Sequence, residues 1–334
     1  MDGARGSDRV LLEVEGLVTR IRTSRGIVTP VDGVSLQVRQ GEAVALVGES
    51  ASGKTMTAMS IMRLVREPVR IAAGRVLLGG RDLLALAEDE MRQVRGGEMA
   101  MVFQDPMTFL NPVFTVGHQI QEAVALHRQA GREEAKGQVL QALRQVRIPA
   151  PEIVYDYYPH QLSGGMRQRV LLAMAISCGP RLIIADEPTT ALDVTVQAQI
   201  MELFEAVRRE IGSSLLLITH DLGLVAKYCD RVYVMYAGKI VETGDVFALF
   251  RAPRHPYTQS LLRCCLRPDQ RPDRFASIAG QVPNLIAPPA GCRFHPRCPD
   301  VLEICRREQP PVCELGGQRA ACWLHAAPPV ERPA

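Results

Sequence analysis

Gly48-Glu49-Ser50-Ala51-Ser52-Gly53-Lys54-Thr55 sets two glycines, a lysine and a threonine at the spacing of a phosphate-binding loop. There, backbone N–H groups over Gly48, Ser50, Ser52 and Gly53 wrap a β-phosphate, Lys54 supplies a cation and the Thr55 hydroxyl ligates Mg²⁺. A second segment, Leu162-Ser163-Gly164-Gly165-Met166-Arg167-Gln168-Arg169, opens a helix read as running to Cys178. The free N–H groups of Ser163, Gly164 and Gly165, with the helix dipole behind them, make another anion site. A third, Leu182-Ile183-Ile184-Ala185-Asp186-Glu187, ends an apolar run in two carboxylates. Asp186 suits Mg²⁺ held through water, and Glu187 suits polarisation of an attacking water, which is most of what phosphoryl transfer asks of a protein. Gln104 is a candidate Mg²⁺ ligand and γ-phosphate sensor, and His220 a candidate hydrogen-bond donor to the γ-phosphate. Taken alone, the first reads equally as a surface glutamine and the second as a structural histidine. Asp193 follows the Glu187 turn at the distance of an inter-subunit contact loop.

The elements that must hold these groups are legible around them. Residues 42–47 form an apolar run fit for a buried strand, and 55–64 are apolar enough for a packed helix. Strand, loop and helix in that order aim a helix N-terminus at phosphates. Residues 181–186 predict a second buried strand whose carboxyl end carries Asp186, where ligands of open α/β sheets bind. Met101-Val102-Phe103 precedes Gln104, and Leu215 to Thr219 precedes His220, each as an apolar strand. Val34-Ser35-Leu36-Gln37-Val38 alternates, as half-exposed antiparallel strands do. After Gln104 the pattern turns helical: Thr115 can cap a helix through His127, and Val139, Leu140, Leu143 and Val146 recur at helical spacing.

With this ordered set of motifs the chain resembles, from Leu11 to about Phe250, the ATP-binding cassette family, the nucleotide-hydrolysing subunits of ABC transporters. The resemblance implies an α/β P-loop cassette with a flanking antiparallel β-subdomain and an inserted helical subdomain at about 105–165. It makes 48–55 the Walker A loop, Gln104 the Q-loop, 162–166 the signature, Asp186 and Glu187 Walker B, Asp193 the D-loop and His220 the switch histidine. It also implies ATP and Mg²⁺ as ligands, and a signature that meets ATP held by an opposing subunit. The inserted subdomain would receive the membrane subunit, with Met107, Phe109 and Phe114 as docking candidates; ordinary packing inside the subdomain is the alternative.

Two positions depart from the family pattern. Ala51 stands where a third glycine is usual, and its Cβ restricts backbone angles that glycine leaves free. No Phe, Tyr or Trp precedes Phe103, so an aromatic platform for adenine upstream of the phosphate loop is missing. Ile21 occupies roughly that place and offers aliphatic contact instead.

Composition bounds the rest. At 334 residues with 47% hydrophobic content, the chain can bury one large core plus an appended unit. A net charge of +3 without a Lys/Arg block gives no case for nucleic acid. The apolar runs fall short of the ~18 residues of a membrane span, and no N-terminal apolar signal segment is present. The expectation is a peripheral protein on the cytoplasmic face of the membrane, brought there by its partners.

The expected division is a cassette over 1–250 and an extension over 251–334. That extension opens with His255-Pro256-Tyr257-Thr258-Gln259-Ser260-Leu261-Leu262, continues through prolines 268, 272, 283, 288 and 289, and reaches Gly291-Cys292-Arg293-Phe294-His295-Pro296-Arg297-Cys298-Pro299. With Tyr158-Pro159-His160-Gln161, it is similar to the D-type ATPase subunits of dipeptide and oligopeptide importers. This resemblance implies a second ATPase subunit, of F-type or the same chain, two integral-membrane permeases, and indirectly an extracytoplasmic peptide-binding protein. Seven of the nine cysteines lie after residue 260, and clustered thiols in a reducing compartment read first as metal ligands. Cys292, Cys298, Cys305 and Cys322 are separated by five, six and sixteen residues, wider than the usual zinc pairing. They could bind a 4Fe-4S cluster, as similar subunits do, a zinc ion, or no metal. His295, His325 and Cys313 are spare candidates. The competing classes are a soluble cassette protein of DNA repair or translation, which would carry two cassettes or a large insertion, and a cassette that binds without hydrolysing.

Overall fold

A computed structural model describes residues 9–103, 106–189, 193–264 and 278–326. Strands β1 (Val10–Thr23) and β2 (Gly26–Arg39) lie side by side as a hairpin. The alternation expected of β2 is present: Val34, Leu36 and Val38 are buried while Ser35 is exposed. β3 (Ala43–Val47) is buried at every position, as a strand covered on both faces must be, and α1 (Lys54–Ile61) follows the phosphate loop. The helix is shorter than its apolar pattern predicts because Met62 caps it and Arg63 turns into the left-handed region at φ 50°. Next come β4 (Val69–Leu78), β5 (Arg81–Asp82), α2 (Glu88–Gly97) and β6 (Met99–Val102). A helical stretch comprises α3 (Pro106–Phe109), α4 (Val116–Arg128), α5 (Arg132–Gln145), α6 (Pro151–Val154) and α7 (Gly164–Ile176). Thr115 caps α4 as its sequence predicts, accepting the His118 N–H at 3.3 Å. The chain continues through β7 (Leu182–Asp186), α8 (Val194–Ile211), β8 (Ser214–Thr219), α9 (Leu222–Tyr228), β9 (Arg231–Tyr236) and β10 (Lys239–Asp245). It then adds α10 (Val246–Arg251), α11 (Pro256–Arg263), β11 (Val312–Leu315) and β12 (Gln318–Ala321).

The chain divides into two compact units. The first gathers the residues up to Leu12 with Val38–Ala43 and Leu77–Ile218. Its β6, β7 and β8 run parallel, with Ala100 opposite Ile183 and Ile184 opposite Leu216. All three strands are apolar runs, which is how parallel strands covered on both faces read in sequence. Helix α7 packs on β6 and against α4, α5 and α8. Leu171, Leu172 and Ile176 are buried along it.

The second unit gathers Glu13–Gln37, Val44–Val76 and Thr219 onward. In it β3 and β9 are parallel, with Val47 opposite Val234. Strand β10 pairs antiparallel with β9, β12 with β10, and β11 with β12. The C-terminal segment thus extends the sheet by a hairpin, a feature its sequence does not announce. Tyr236, Tyr257 and Phe294 form an aromatic knot with centroids 4.6–5.3 Å apart, and all three are fully buried. Among the described residues no helix is long and apolar enough to cross a membrane.

Candidate nucleotide site and cysteine cluster

The phosphate loop leaves the end of β3 and feeds α1, both within the second unit. Gly48 and Gly53 are required sterically: a Cβ would stand 2.2 Å from the Met235 carbonyl oxygen at the first and 2.0 Å from that of Pro30 at the second. Gly53 also takes φ 107° as the residue before α1. Ala51 adopts φ 62°, the left-handed region in which a Cβ is costly. Lys54 is 5% exposed, and its ammonium donates to the carbonyls of Gly48 at 2.8 Å and Glu49 at 3.0 Å, so the cation is folded across the loop. The Ser52 hydroxyl is buried without a hydrogen-bond partner, while the Ser52 carbonyl accepts the Gly238 N–H at 2.8 Å. Thr55 is exposed at the first turn of α1, which carries no acidic residue. A buried cation, an orphan hydroxyl and a helix N-terminus clear of carboxylates fit a phosphate chain. Ile21 is half-buried on β1.

Glu49 has no signal of its own in the sequence, yet it is held by both its side chain and its main chain. Its carboxylate receives the Arg297 guanidinium at 2.7 and 3.0 Å, and its backbone N–H donates to the Tyr257 hydroxyl at 2.9 Å. Contacts spanning more than 200 residues leave no local pattern. The only available signal was that Arg297 lies between two of the clustered cysteines.

The first unit holds the carboxylates and the signature. Asp186 ends β7 and is 3% exposed, and Glu187 follows at φ 44° with its N–H donating to the Ile218 carbonyl at 2.8 Å. A non-glycine residue in this region is strained, a condition that concentrates at functional positions. Ser163 caps α7 by accepting the Met166 N–H at 3.3 Å, and Ser163 and Gly164 are exposed, so the helix opens to solvent. Asp193 caps α8, accepting the N–H groups of Thr195 and Val196 at 3.1 and 3.0 Å. His220, in the second unit, is exposed just after β8. Gln104 and the Met107 side chain lie outside the described residues. Phe109 and Phe114 are each 45% exposed, and Phe109 stacks on Phe103 with centroids 3.9 Å apart.

Cys292, Cys298, Cys305 and Cys322 all lie in the second unit. The Cys292 N–H donates to the Cys305 carbonyl at 2.9 Å, and all four thiols are free. Burial raises the thiol of Cys292, pushes that of Cys298 up to about 11 and that of Cys322 up to about 12; proximity of the other thiolates adds to each. Among the described residues no group of three or more His, Cys, Asp or Glu side chains stands ready to hold a metal ion. The spare candidates have local roles. His295 pairs with the Cys292 carbonyl, His325 with that of Arg254, and the Cys313 thiol with that of Pro311.

Comparison with known proteins agrees with this anatomy. Residues 31–190 match the ABC transporter family, and residues 241–305 match the family described as oligopeptide/dipeptide transporter, C-terminal region. The chain is 48% identical to a probable peptide ABC transporter ATP-binding protein, y4tR, of Sinorhizobium fredii, over 94% of this chain and 95% of that one. It is likewise 48% identical to the dipeptide transport ATP-binding protein DppD of Escherichia coli, over 93% and 96%. Among solved structures it is similar to the dimeric ATP-binding cassette MJ0796 bound to ADP and Pi, with a TM-score of 0.63 and 25% identity, over 71% of this chain and 99% of that one. The chain therefore belongs to the ABC transporter ATP-binding proteins, in the branch that carries the oligopeptide/dipeptide-transporter C-terminal region.

Proposed function

We propose that this protein is the ATP-hydrolysing subunit of an ABC importer that energises uptake of dipeptides or oligopeptides. What carries the reading is the phosphate loop, in which two sterically obligatory glycines, a buried lysine and an orphan serine hydroxyl occur together at the start of α1. It occurs in one chain with a tail of the peptide-transporter type. Gly48, Ser50, Ser52, Gly53 and Lys54 would take the phosphates, and Mg²⁺ would be held by Thr55 and Gln104 and, through water, by Asp186. When bound, Mg²⁺ neutralises charge between the β- and γ-phosphates. Glu187 orients and polarises the attacking water, and His220 donates to the γ-phosphate.

In this reading the cassette comprises residues 1–250, with a helical subdomain over about 105–165, and the extension residues 251–334. Ser163, Gly164 and Gly165, with Asp193 beside them, face the nucleotide of a second cassette, either the same chain or an F-type subunit. The pair sits on the cytoplasmic face of the membrane against two permeases fed by an extracytoplasmic peptide-binding protein, and the exposed Phe109 and Phe114 meet the permease. Glu187→Gln should retain ATP yet stop turnover, as followed by phosphate release alongside retained nucleotide. Hydrolysis at the normal rate in that variant defeats the assignment. Co-purification with two hydrophobic permeases separates transport from a repair or translation role.

Cys292, Cys298, Cys305 and Cys322 are proposed to hold a 4Fe-4S cluster. The reading rests on the spacing of the four cysteines in the tail, all of them free thiols. Iron and acid-labile sulfide assayed after anaerobic purification decide between cluster, zinc and no metal.

A further inference from the structure

Arg297 belongs to a turn bounded by Cys292 and Cys298, in which the His295 N–H donates to the Cys292 carbonyl and the Arg297 N–H to that of Phe294. Its side chain is only 4% exposed, and every hydrogen-bond donor of the guanidinium is used. Nη1 reaches Glu49 Oε2 at 2.7 Å and the Tyr236 hydroxyl at 3.3 Å, and Nη2 reaches Glu49 Oε1 at 3.0 Å and the Ile278 carbonyl at 3.1 Å. Nε reaches the Ala279 carbonyl at 2.9 Å. A planar fork with all its donors engaged has one allowed orientation, and that orientation fixes the Glu49 carboxylate. From α11, the fully buried Tyr257 accepts the Glu49 backbone N–H, so side chain and main chain of one loop residue are gripped from two parts of the extension. A second arm leaves the same turn. Arg293 is bonded to Asp32 and to the Ala237 carbonyl, and the adjacent Gly238 N–H holds the Ser52 carbonyl.

We propose that the C-terminal extension sets the shape of the phosphate loop, with Arg297 and Tyr257 as positioning residues that act on nucleotide binding through Glu49. A phosphate loop works by presenting several N–H groups to one anion at once, and their directions are set by the peptide planes of residues such as Glu49. Holding that peptide in place before nucleotide arrives removes an ordering cost that binding otherwise bears. This inference rests on the nucleotide-binding reading above and adds to it the agent that shapes the loop.

The test uses the full chain with Glu187→Gln as background and Mg²⁺ with a fluorescent ATP analogue as probe. Binding by this background protein checks the nucleotide reading itself, and its failure sinks that reading, not this one alone. Given binding, Arg297→Met is expected to weaken affinity by about tenfold, the loss of a charge-assisted bidentate contact only partly relayed to the ligand. The exchange of Glu49→Arg with Arg297→Glu should recover most of it. Arg297→Met made with Glu187 intact should raise KM for ATP and leave kcat within about twofold in the reconstituted transporter. A merely structural role would lower the active fraction, hence kcat, at constant KM. Tyr257→Phe keeps the buried ring and removes the acceptor for the Glu49 N–H. It is expected to cost about threefold in affinity, and it decides the matter if Arg297→Met does not fold. Affinity within about twofold of background in a folded Arg297→Met, or in Tyr257→Phe where Arg297→Met fails to fold, overturns the proposal.

Discussion

Ala51 at φ 62° shows how one side chain can tax a binding loop. An L-residue with a Cβ in the left-handed region costs roughly 1–2 kcal/mol that glycine avoids. Ala51→Gly is therefore expected to raise unfolding free energy by about 1 kcal/mol in chemical denaturation. Nucleotide affinity should rise by less than about tenfold, because the loop already has its binding shape; a larger gain in titration would mean that Ala51 distorts the loop. Lys54 has the opposite standing. Its buried ammonium is the cation of the loop, and Lys54→Ala should weaken nucleotide binding severely in the same titration while thermal melting shows the fold retained. These residues were legible in the sequence because a phosphate loop is a local device: its glycines, lysine and threonine lie within eight positions. Glu49 lies in the same octet without any local signal, since its contacts come from Arg297 and Tyr257, which only the tertiary fold delivers.

At the scale of elements, α11 depends on a buried histidine. His255 caps the helix, its Nδ1 accepting the Tyr257 N–H at 3.0 Å, and burial lowers its pKa from 6.5 to about 3, with the nearby His325 adding to the effect. Its own N–H donates to Glu242 on β10, whose carboxyl is raised by burial. Because the unfolded chain takes up the His255 proton near 6.5 and the folded chain does not, stability from this group is full above that value. It is lost as pH falls toward about 3. Between about pH 7 and about pH 5 the loss amounts to about 2 kcal/mol. Glu242 has the opposite sign, since a raised carboxyl favours the fold as pH falls. His255→Asn keeps a capping side chain and removes the titration, so denaturation at the two pH values should show its acid loss shrinking by that amount, with the Glu242 effect left in place. Equal acid sensitivity in the variant would show that His255 is accessible to protons. Strands β3, β7 and β8 could be read directly, because buried parallel strands appear as unbroken apolar runs. The hairpin β11–β12 could not: four residues per strand, including Gln318-Arg319-Ala320-Ala321, carry no alternation, and their place on β10 is set by tertiary pairing.

At the scale of the whole molecule, helix α7 has an N-terminal end that is exposed to solvent. Ser163 and Gly164 are exposed, the first turn of α7 lacks acidic residues, and the buried face of the helix is spent on packing within its own unit. The order of motifs along the chain made the cassette recognisable, whereas the substrate is not written in an ATP-binding subunit. If α7 presents its N-terminus to a nucleotide held elsewhere, binding and pairing are separable functions of one chain. Ser163→Arg in the Glu187→Gln background fills that end with a long side chain and removes the cap, at a cost of about 1 kcal/mol to the helix. It should leave the affinity of the isolated chain for ATP within about twofold, because Lys54 and the glycine loop are untouched. ATP-dependent self-association, followed by light scattering of the chain alone, should be lost. Were the variant to bind ATP poorly as a monomer, the signature would belong to the nucleotide site of its own chain. Each nucleotide would then be enclosed by one polypeptide, and hydrolysis would need no pairing at all.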